Sequence, residues 1–410
     1  PQSGASWAIM DHHIFSESTV QGLGAPAEYD GFKGVVLSMI TKSGGNTFDG
    51  MIDVDYKHWT WEKVNIDMDD PKYSLYSEPP QQRLFDAHFS LGGPILRDKL
   101  WLFVALKYEI NSQDYGGPKK DHLKQPKYFL KLTWQPSPKL RWSFSNTSHD
   151  FISDQGDLSV RRPVEATNYE YAPDRVLSTD ILYTFSNRTF SETKIGSPRQ
   201  TSYTGGYAGG YPGRDVSGRY DESTGMYSVN YPDYWGCEAY RFNVVEAVSH
   251  HADDFIKGSH DFKLGVEYES LGIRNEYHYN GGIFYHDNVY NAMDNQFHNY
   301  GYSYGYNRIA TGNRMSAFVQ DSWKISDRLT INPGIRYSIY RGKIKDRGSD
   351  PVLKTSALSP RLGFSFDVFG DGTTAVKAHY GRYNDKLSTM MWEPASGNVD
   401  DWVMYEIMPD

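Results

Sequence analysis

The chain has 410 residues, of which 39% are hydrophobic, 15% aromatic and 23% charged, with a formal net charge of -9. No stretch approaches the roughly 18 consecutive apolar residues of a transmembrane helix, which excludes a helical membrane protein but leaves open a β-barrel, whose spans are about ten alternating residues. The acidic balance, with no basic run, argues against a nucleic-acid partner, and the single cysteine, Cys237, excludes an intrachain disulfide framework.

Pro1 opens the chain without a methionine, a basic n-region or an apolar h-region, so the sequence is expected to carry no signal peptide and to be a processed protein or a fragment. Residues 1–33 carry little regular pattern. A turn over Glu28 to Gly34 leads into an apolar strand from Val35 to Ile40. The stretch Lys42-Ser43-Gly44-Gly45-Asn46 follows, and Gly44 and Gly45 are expected to supply backbone freedom at a junction. Alternation then begins, with Ile52, Val54 and Tyr56 on one face and Asp53, Asp55 and Lys57 on the other. The boundary near residue 45 divides a compact piece, 1–45, from a long series of strands, 46–410.

Period-2 segments recur along the rest of the chain, the signature of strands with two unlike faces. Tyr128, Leu130, Leu132 and Trp134 share one face, with Lys131, Thr133 and Gln135 on the other and Phe129 as the exception. Leu140, Trp142 and Phe144 oppose Arg141, Ser143 and Ser145, and Phe262, Leu264, Val266 and Tyr268 oppose Lys263, Gly265, Glu267 and Glu269. Leu329 to Tyr340 and Leu362 to Val368 follow the same rule, while Leu100 to Tyr108 is apolar on one face and mixed on the other. Segment 191–202 interrupts its pattern with Pro198. Short turns near 92–98, 136–139, 187–190, 253–259, 326–328 and 370–372 alternate with long polar stretches near 58–81, 111–127, 149–176, 203–238, 271–312 and 341–356. Antiparallel neighbours joined in this way place all short turns at one end of a sheet and all long loops at the other, as in an outer-membrane barrel. A soluble extracellular sandwich mixes connection lengths at both ends. Roughly thirteen strands are read, whereas single-chain bacterial barrels have even numbers. Met408-Pro409-Asp410 does not resemble a final aromatic strand, so further strands are expected beyond it.

Four motifs carry a resemblance. Gly34-Val35-Val36 with Met39 to Gly50 is similar to the plug-to-barrel junction of TonB-dependent outer-membrane receptors, and within them of the Oar-like group. Leu91-Gly92-Gly93-Pro94-Ile95 with Asp98 to Phe103 resembles the second hairpin of that family. Ala317 to Lys324 with Leu329 to Tyr337 resembles a mid-barrel hairpin, and Leu358 to Ser365, Gly370-Asp371-Gly372 and Tyr380 to Tyr383 the next one. The resemblance implies an all-β, antiparallel, up-and-down transmembrane β-barrel. It would be incomplete here, with about 13 of roughly 22 strands, and preceded by the C-terminal portion of a plug domain. It further implies a receptor or transporter in the bacterial outer membrane that binds a small-molecule, glycan or peptide ligand on extracellular loops. Import would follow through plug movement driven by the TonB energy-coupling protein, which would bind a segment missing here. An adhesion, signalling or protein-export barrel of the Oar-like type is the alternative.

On that reading, residues 42–46 form the plug-barrel junction at the short-turn end. Trp101, Trp134, Trp142 and Trp323 are candidates for an interfacial girdle against outer-membrane lipid. The glycine- and tyrosine-rich stretches 203–240 and 271–307 offer rigid amphipathic rings and adaptable amides, the chemistry of binding loops. From them Tyr207, Tyr211, Tyr231, Tyr234, Trp235, Tyr302, Tyr304, Tyr306 and Asn307 are ligand-binding candidates, against the plainer reading of a loop packed on itself. No catalytic set is found, so no enzyme is expected, and no cofactor or metal is assigned. His12-His13 and His250-His251 are adjacent pairs, expected to point apart on strands. His286, Asp287, Asp294 and His298 read as a solvated loop, and Asp67, Asp69 and Asp70 lack a Ca²⁺-loop spacing.

Overall fold

The computed structural model describes residues 10–22, 24–31, 34–61, 81–114, 120–206 and 213–407. Asp67, Asp69 and Asp70 lie outside them.

Two short strands, β1 (Phe15–Gln21) and β2 (Val36–Thr41), pair antiparallel as a separate ribbon. β1 was not legible as a strand, because its central residues, Ser16 to Val20, are exposed and carry no alternation. The wall follows: β3 (Asp49–Lys57), β4 (Gln81–Leu96), β5 (Leu100–Asp114), β6 (Lys120–Ser137), β7 (Leu140–Gly156), β8 (Asn168–Ser186) and β9 (Thr189–Gly206). After the small strands β10 (Arg219–Asp221) and β11 (Met226–Ser228), it resumes with β12 (Asp233–Asp253) and β13 (Ser259–Tyr279). A hairpin, β14 (Phe284–Asn291) and β15 (Gln296–Ser303), interrupts it before β16 (Gly305–Ser326), β17 (Leu329–Ile344), β18 (Leu353–Asp367) and β19 (Ala375–Gly381), and β20 (Val403–Ile407) lies near the end. Thirteen strands form one open sheet in the order β19-β18-β17-β16-β13-β12-β9-β8-β7-β6-β5-β4-β3. Each neighbour pairs antiparallel, as short connections require. β11, β10, β14, β15 and β20 make a second, five-stranded sheet.

The alternation maps onto the two faces of the wall as read from the sequence, with the usual order inverted. Apolar side chains line the outside: Ile52 faces Phe89, Phe89 faces Leu106, Leu264 faces Val319 and Val319 faces Ile335. All of these are exposed in the isolated chain. The inside carries buried His88, Lys107, Lys127, Thr133, Arg314, Arg336 and Arg361. A sheet that hides its charges and displays its aliphatics is built for hydrocarbon, with backbone groups satisfied between strands.

Phe129 breaks the alternation because it points inward. With Phe103 and Ala105 it buries Ile14, which comes from the short 3-10 turn His12–Ile14 before β1. Phe318, likewise inward, packs with Ala247 against Ala27. The apolar positions on the polar face therefore mark where the N-terminal segment docks. At the other end of the chain, Trp392 packs with Ile273, Ala310 and Ile344. Gly312 and Gly342 are direct ladder partners and make room for it. A Cβ on either would stand under 3.0 Å from the indole.

Two expectations change. Stretches 111–127 and 149–176, read as long loops, are largely strand, since β5 runs to Asp114, β6 begins at Lys120, β7 reaches Gly156 and β8 begins at Asn168. Beyond the apolar band both faces are polar, so the ladder continues while the alternation vanishes. Segment 191–202 is a strand within β9, and Pro198 fits because the β9–β12 register skips it.

Candidate functional site

The junction, the charged inner face and the tyrosine-rich upper end are the three places where chemistry gathers. At the junction, neither Gly44 nor Gly45 adopts a positive φ. Gly44 is there for close approach instead, as its Cβ would stand 2.3 Å from the Leu102 carbonyl oxygen and 2.8 Å from that of Gly93. Gly45 has open space around it and no steric reason to be glycine. Asn46 clamps the first short turn, donating from Nδ2 to Asp98 at 2.6 Å and accepting from the Asp98 amide at 2.9 Å and the Trp101 indole at 2.8 Å. The Lys42 amide donates to the Ile14 carbonyl at 2.7 Å. Lys131 on β6 donates to the Thr41 carbonyl and hydroxyl. Residues 42–46 thus lie at the short-turn end of the wall.

Further along the inner face, residues 25–30 are held by charge. Arg314, Arg336 and Arg361 stand on three successive strands, β16 to β18, and each is almost fully buried. Arg314 donates to Asp30 at 2.6 Å and also to Glu267, while Arg336 reaches Asp30 at 3.2 Å and Glu267. Arg361 donates to the carbonyls of Ala25, Pro26 and Tyr29. Glu28 is gripped twice, by Lys263 at 2.6 Å and by Gln320, which both donates to and accepts from it. Lys386 adds a cation 3.5 Å from Glu269. Buried charges removed from water are costly unless paired, and Asp30 is where two arginines of the wall find a partner from the N-terminal segment. These arginines carried no spacing signal, because they meet only through strand register.

At the upper end several of the candidates are on strands, while Tyr231 and Tyr304 lie just outside them. Tyr234 and Trp235 open β12, Tyr302 lies on β15, and Tyr306 and Asn307 open β16. Several rings pack on one another: Tyr306 stacks on Tyr277 at 5.7 Å, Tyr304 lies 5.8 Å from Tyr277, and Tyr302 lies 5.6 Å from Trp402. The Tyr231 hydroxyl donates to Asp157, and the Asn307 carbonyl accepts from Asn398. Tyr207 and Tyr211 lie outside the described residues. Two buried asparagines absent from the sequence reading organise these loops. Asn230 donates to the carbonyls of Gly213 and Val216, and Asn280 to those of Tyr231 and Asp233.

Tyr234 is brought to a cavity of about 720 Å³ with Tyr203, Arg214, Asp215, Gly236, Glu238, Arg274 and Glu276. Arg214 lies 3.6 Å above the Tyr234 ring, and Tyr203 donates to Glu238 at 3.0 Å. By strand alternation Tyr234, Gly236 and Glu238 share the outer face with Tyr240 and Phe242, whereas Trp235 turns inward and donates to Asn275 at 2.9 Å. Among the described residues the candidates therefore divide between two faces of the wall. Among loop histidines, His286 pairs with Glu222, and His298 lies between Glu406 at 2.5 Å and Asp294 at 2.7 Å. The hydrogen bond to Glu406, with that to Asp294, raises the His298 pKa above its usual value. His250 and His251 point apart as expected, to Thr189 and to Asp261.

Trp134 and Trp142 meet across β6 and β7 with centroids 6.0 Å apart, on the outer face beside a short turn. Trp323 is on the same face at the same end, donating to the Lys257 carbonyl at 2.6 Å. Trp101 departs from the girdle expectation. It pairs with inward-facing Thr133 and bonds to Asn46, so its ring serves the junction.

An open antiparallel wall with an apolar exterior, a charged interior and an internal segment tied to it defines an outer-membrane β-barrel. The family model for the outer membrane beta barrel domain matches residues 107–350, and the chain belongs to that family. It is 24% identical to the TonB-dependent transporter Oar of Myxococcus xanthus, over 96% of this chain and 46% of that protein. Among solved structures it is similar to the outer membrane transporter YddB from Escherichia coli, with a TM-score of 0.68 and 15% identity over 93% of this chain and 49% of that one. It is also similar to the ferric enterobactin receptor of Pseudomonas aeruginosa, with a TM-score of 0.59 and 14% identity over 93% and 50%. The chain spans about half the length of these relatives. The likeness to TonB-dependent receptors implied by the four motifs is borne out, and the protein is placed in the bacterial outer membrane. These relatives are transporters and receptors, not enzymes.

Proposed function

We propose that the chain is part of an outer-membrane transporter that imports a ligand by energy-coupled movement of a plug. Residues 1–45 are the end of that plug, 46–410 belong to the barrel wall and its loops, and TonB supplies the energy. The observation that carries the reading is the attachment of residues 25–30, which rests on ion pairs and carbonyl contacts to three arginines of the wall. Apart from the small apolar contact of Ala27 with Phe318 and Ala247, these are polar contacts that can exchange for water, which suits a segment that must shift inside a standing wall. The ligand is a small molecule, glycan or peptide held by tyrosine and amide groups of the upper end, Tyr231, Tyr234 and Tyr302 among them. Trp134, Trp142 and Trp323 anchor the wall at the lipid interface.

The test is accumulation of labelled ferric chelates, cobalamin, oligosaccharides and peptides by cells carrying the full-length protein. One class should accumulate, only with TonB and a proton-motive force. A disulfide from Ala27→Cys with Gly334→Cys, positions whose Cβ atoms would stand 3.0 Å apart, should stop it, and reductant should restore it. Accumulation that ignores TonB and the disulfide would overturn the reading. If no class accumulates and deletion of residues 213–232 abolishes surface attachment, an adhesion barrel is the answer.

A further inference from the structure

We infer that Asp11, His13 and His88 form a binding site for a divalent transition-metal ion, of which Zn²⁺ fits best, between the N-terminal segment and the wall. One ligating atom from each residue lies within 4.8 Å of the others. Asp11 Oδ1 is 2.9 Å from His13 Nδ1, and Asp11 Oδ2 is 2.6 Å from His88 Nδ1. The imidazole rings are stacked with centroids 4.4 Å apart, so one ring must turn for both nitrogens to face a single ion. Two imidazoles, that of His88 buried and that of His13 half-buried, beside one buried carboxylate are the donor set of borderline metals, nitrogen with oxygen and no thiolate. Tetrahedral bonds of ~2.0 Å place ligand atoms ~3.3 Å apart, so the carboxylate would draw back by about 0.4 Å from His13 and about 0.7 Å from His88.

The surroundings supply two further observations. Metal-bound histidines usually donate their second ring N–H to a carboxylate, which fixes tautomer and orientation. His13 Nε2 lies 3.1 Å from Asp53 Oδ2 in this way. Asp11 and His88 are both nearly inaccessible, and His88 Nε2, the nitrogen away from Asp11, has no hydrogen-bond partner among the described residues. The nearest cation, Lys107, is engaged by Asp86 at 2.6 Å. Three protein ligands leave a fourth position for water. Asp11 and His13 come from the N-terminal segment and His88 from β4, so the ion would join two parts of the chain next to the Ile14 anchor. His12, exposed on the same turn, is not in the set.

The experiment uses the full-length protein, purified in detergent, stripped with chelator and titrated with Zn²⁺ by calorimetry, with metal content checked by mass spectrometry. One tight equivalent is expected. His88→Ala and Asp11→Asn should each weaken it by more than ~10-fold, and Asp53→Asn, outside the ligand set, by ~10-fold. X-ray absorption of the loaded protein should show two imidazoles. Circular dichroism and heat-modifiable migration establish that each variant retains its barrel. Zn²⁺ affinity unchanged in folded His88→Ala, or no tight equivalent in the parent, would overturn the inference.

Discussion

The lower part of the wall and its upper extension are made of the same antiparallel ladder, yet they are legible in the sequence to very different degrees. Around Leu264 and Val266 on β13, one face meets hydrocarbon and the other the charged interior, and every second residue declares which is which. Around Asp114, Lys120 and Gly156 the ladder persists while both faces are polar, and the same hydrogen bonding leaves no period in the sequence. Alternation thus reports the difference between the media on the two sides of a sheet, rather than the sheet itself.

Breaking the buried charges of the lower region should have the largest effect. Asp30→Ala leaves Arg314 and Arg336 without their partner from the N-terminal segment, and should cost about 3–5 kcal/mol. Urea unfolding of the full-length protein in lipid would read this, and protease sensitivity of residues 10–45 should rise. Next comes the lipid face. Val266→Arg places a charge in hydrocarbon and should cost about 2–4 kcal/mol, whereas Ser153→Arg on the polar extension of β7 should stay within about 0.5 kcal/mol. Equal costs at the two positions would dissolve the distinction between the regions.

The smallest effect belongs to the upper sheet. The His298 pKa is raised on folding, so its pairing with Glu406 and Asp294 is fully present below the usual histidine range and is lost as pH rises through the folded value. Hydrogen exchange of β15 and β20 should therefore quicken across that window. His298→Gln should exchange at a rate that does not change with pH there, beyond the intrinsic dependence of the amides.

Much of the lower region was legible, including the apolar and polar faces of β6, β13 and β17. Even Phe129, the residue that broke the pattern, was informative, since an aromatic on the polar face is where Ile14 docks. What the sequence hid is contact across distance. Asp11 and His88 are 77 residues apart. Arg314, Arg336 and Arg361 converge on residues 25–30 only once strand register is known. The reason given for Gly44 was also incomplete, because a close approach to Leu102 and Gly93 leaves no more trace in a single sequence than a turn does. The tyrosines were found, but composition does not say which face of a strand a ring takes, so Tyr234 and Trp235 separate to opposite sides.

The inverted wall is the feature on which membrane insertion depends, and β13 tests it directly. Single spin labels at positions 262 to 269 of the full-length protein in lipid, read by accessibility to oxygen and to a water-soluble nickel complex, give one value per residue. Positions 262, 264, 266 and 268 should favour oxygen, with 263, 265, 267 and 269 protected from it. No alternation, or water-like accessibility at 264 and 266, would contradict a lipid-facing outer surface and with it the membrane wall itself.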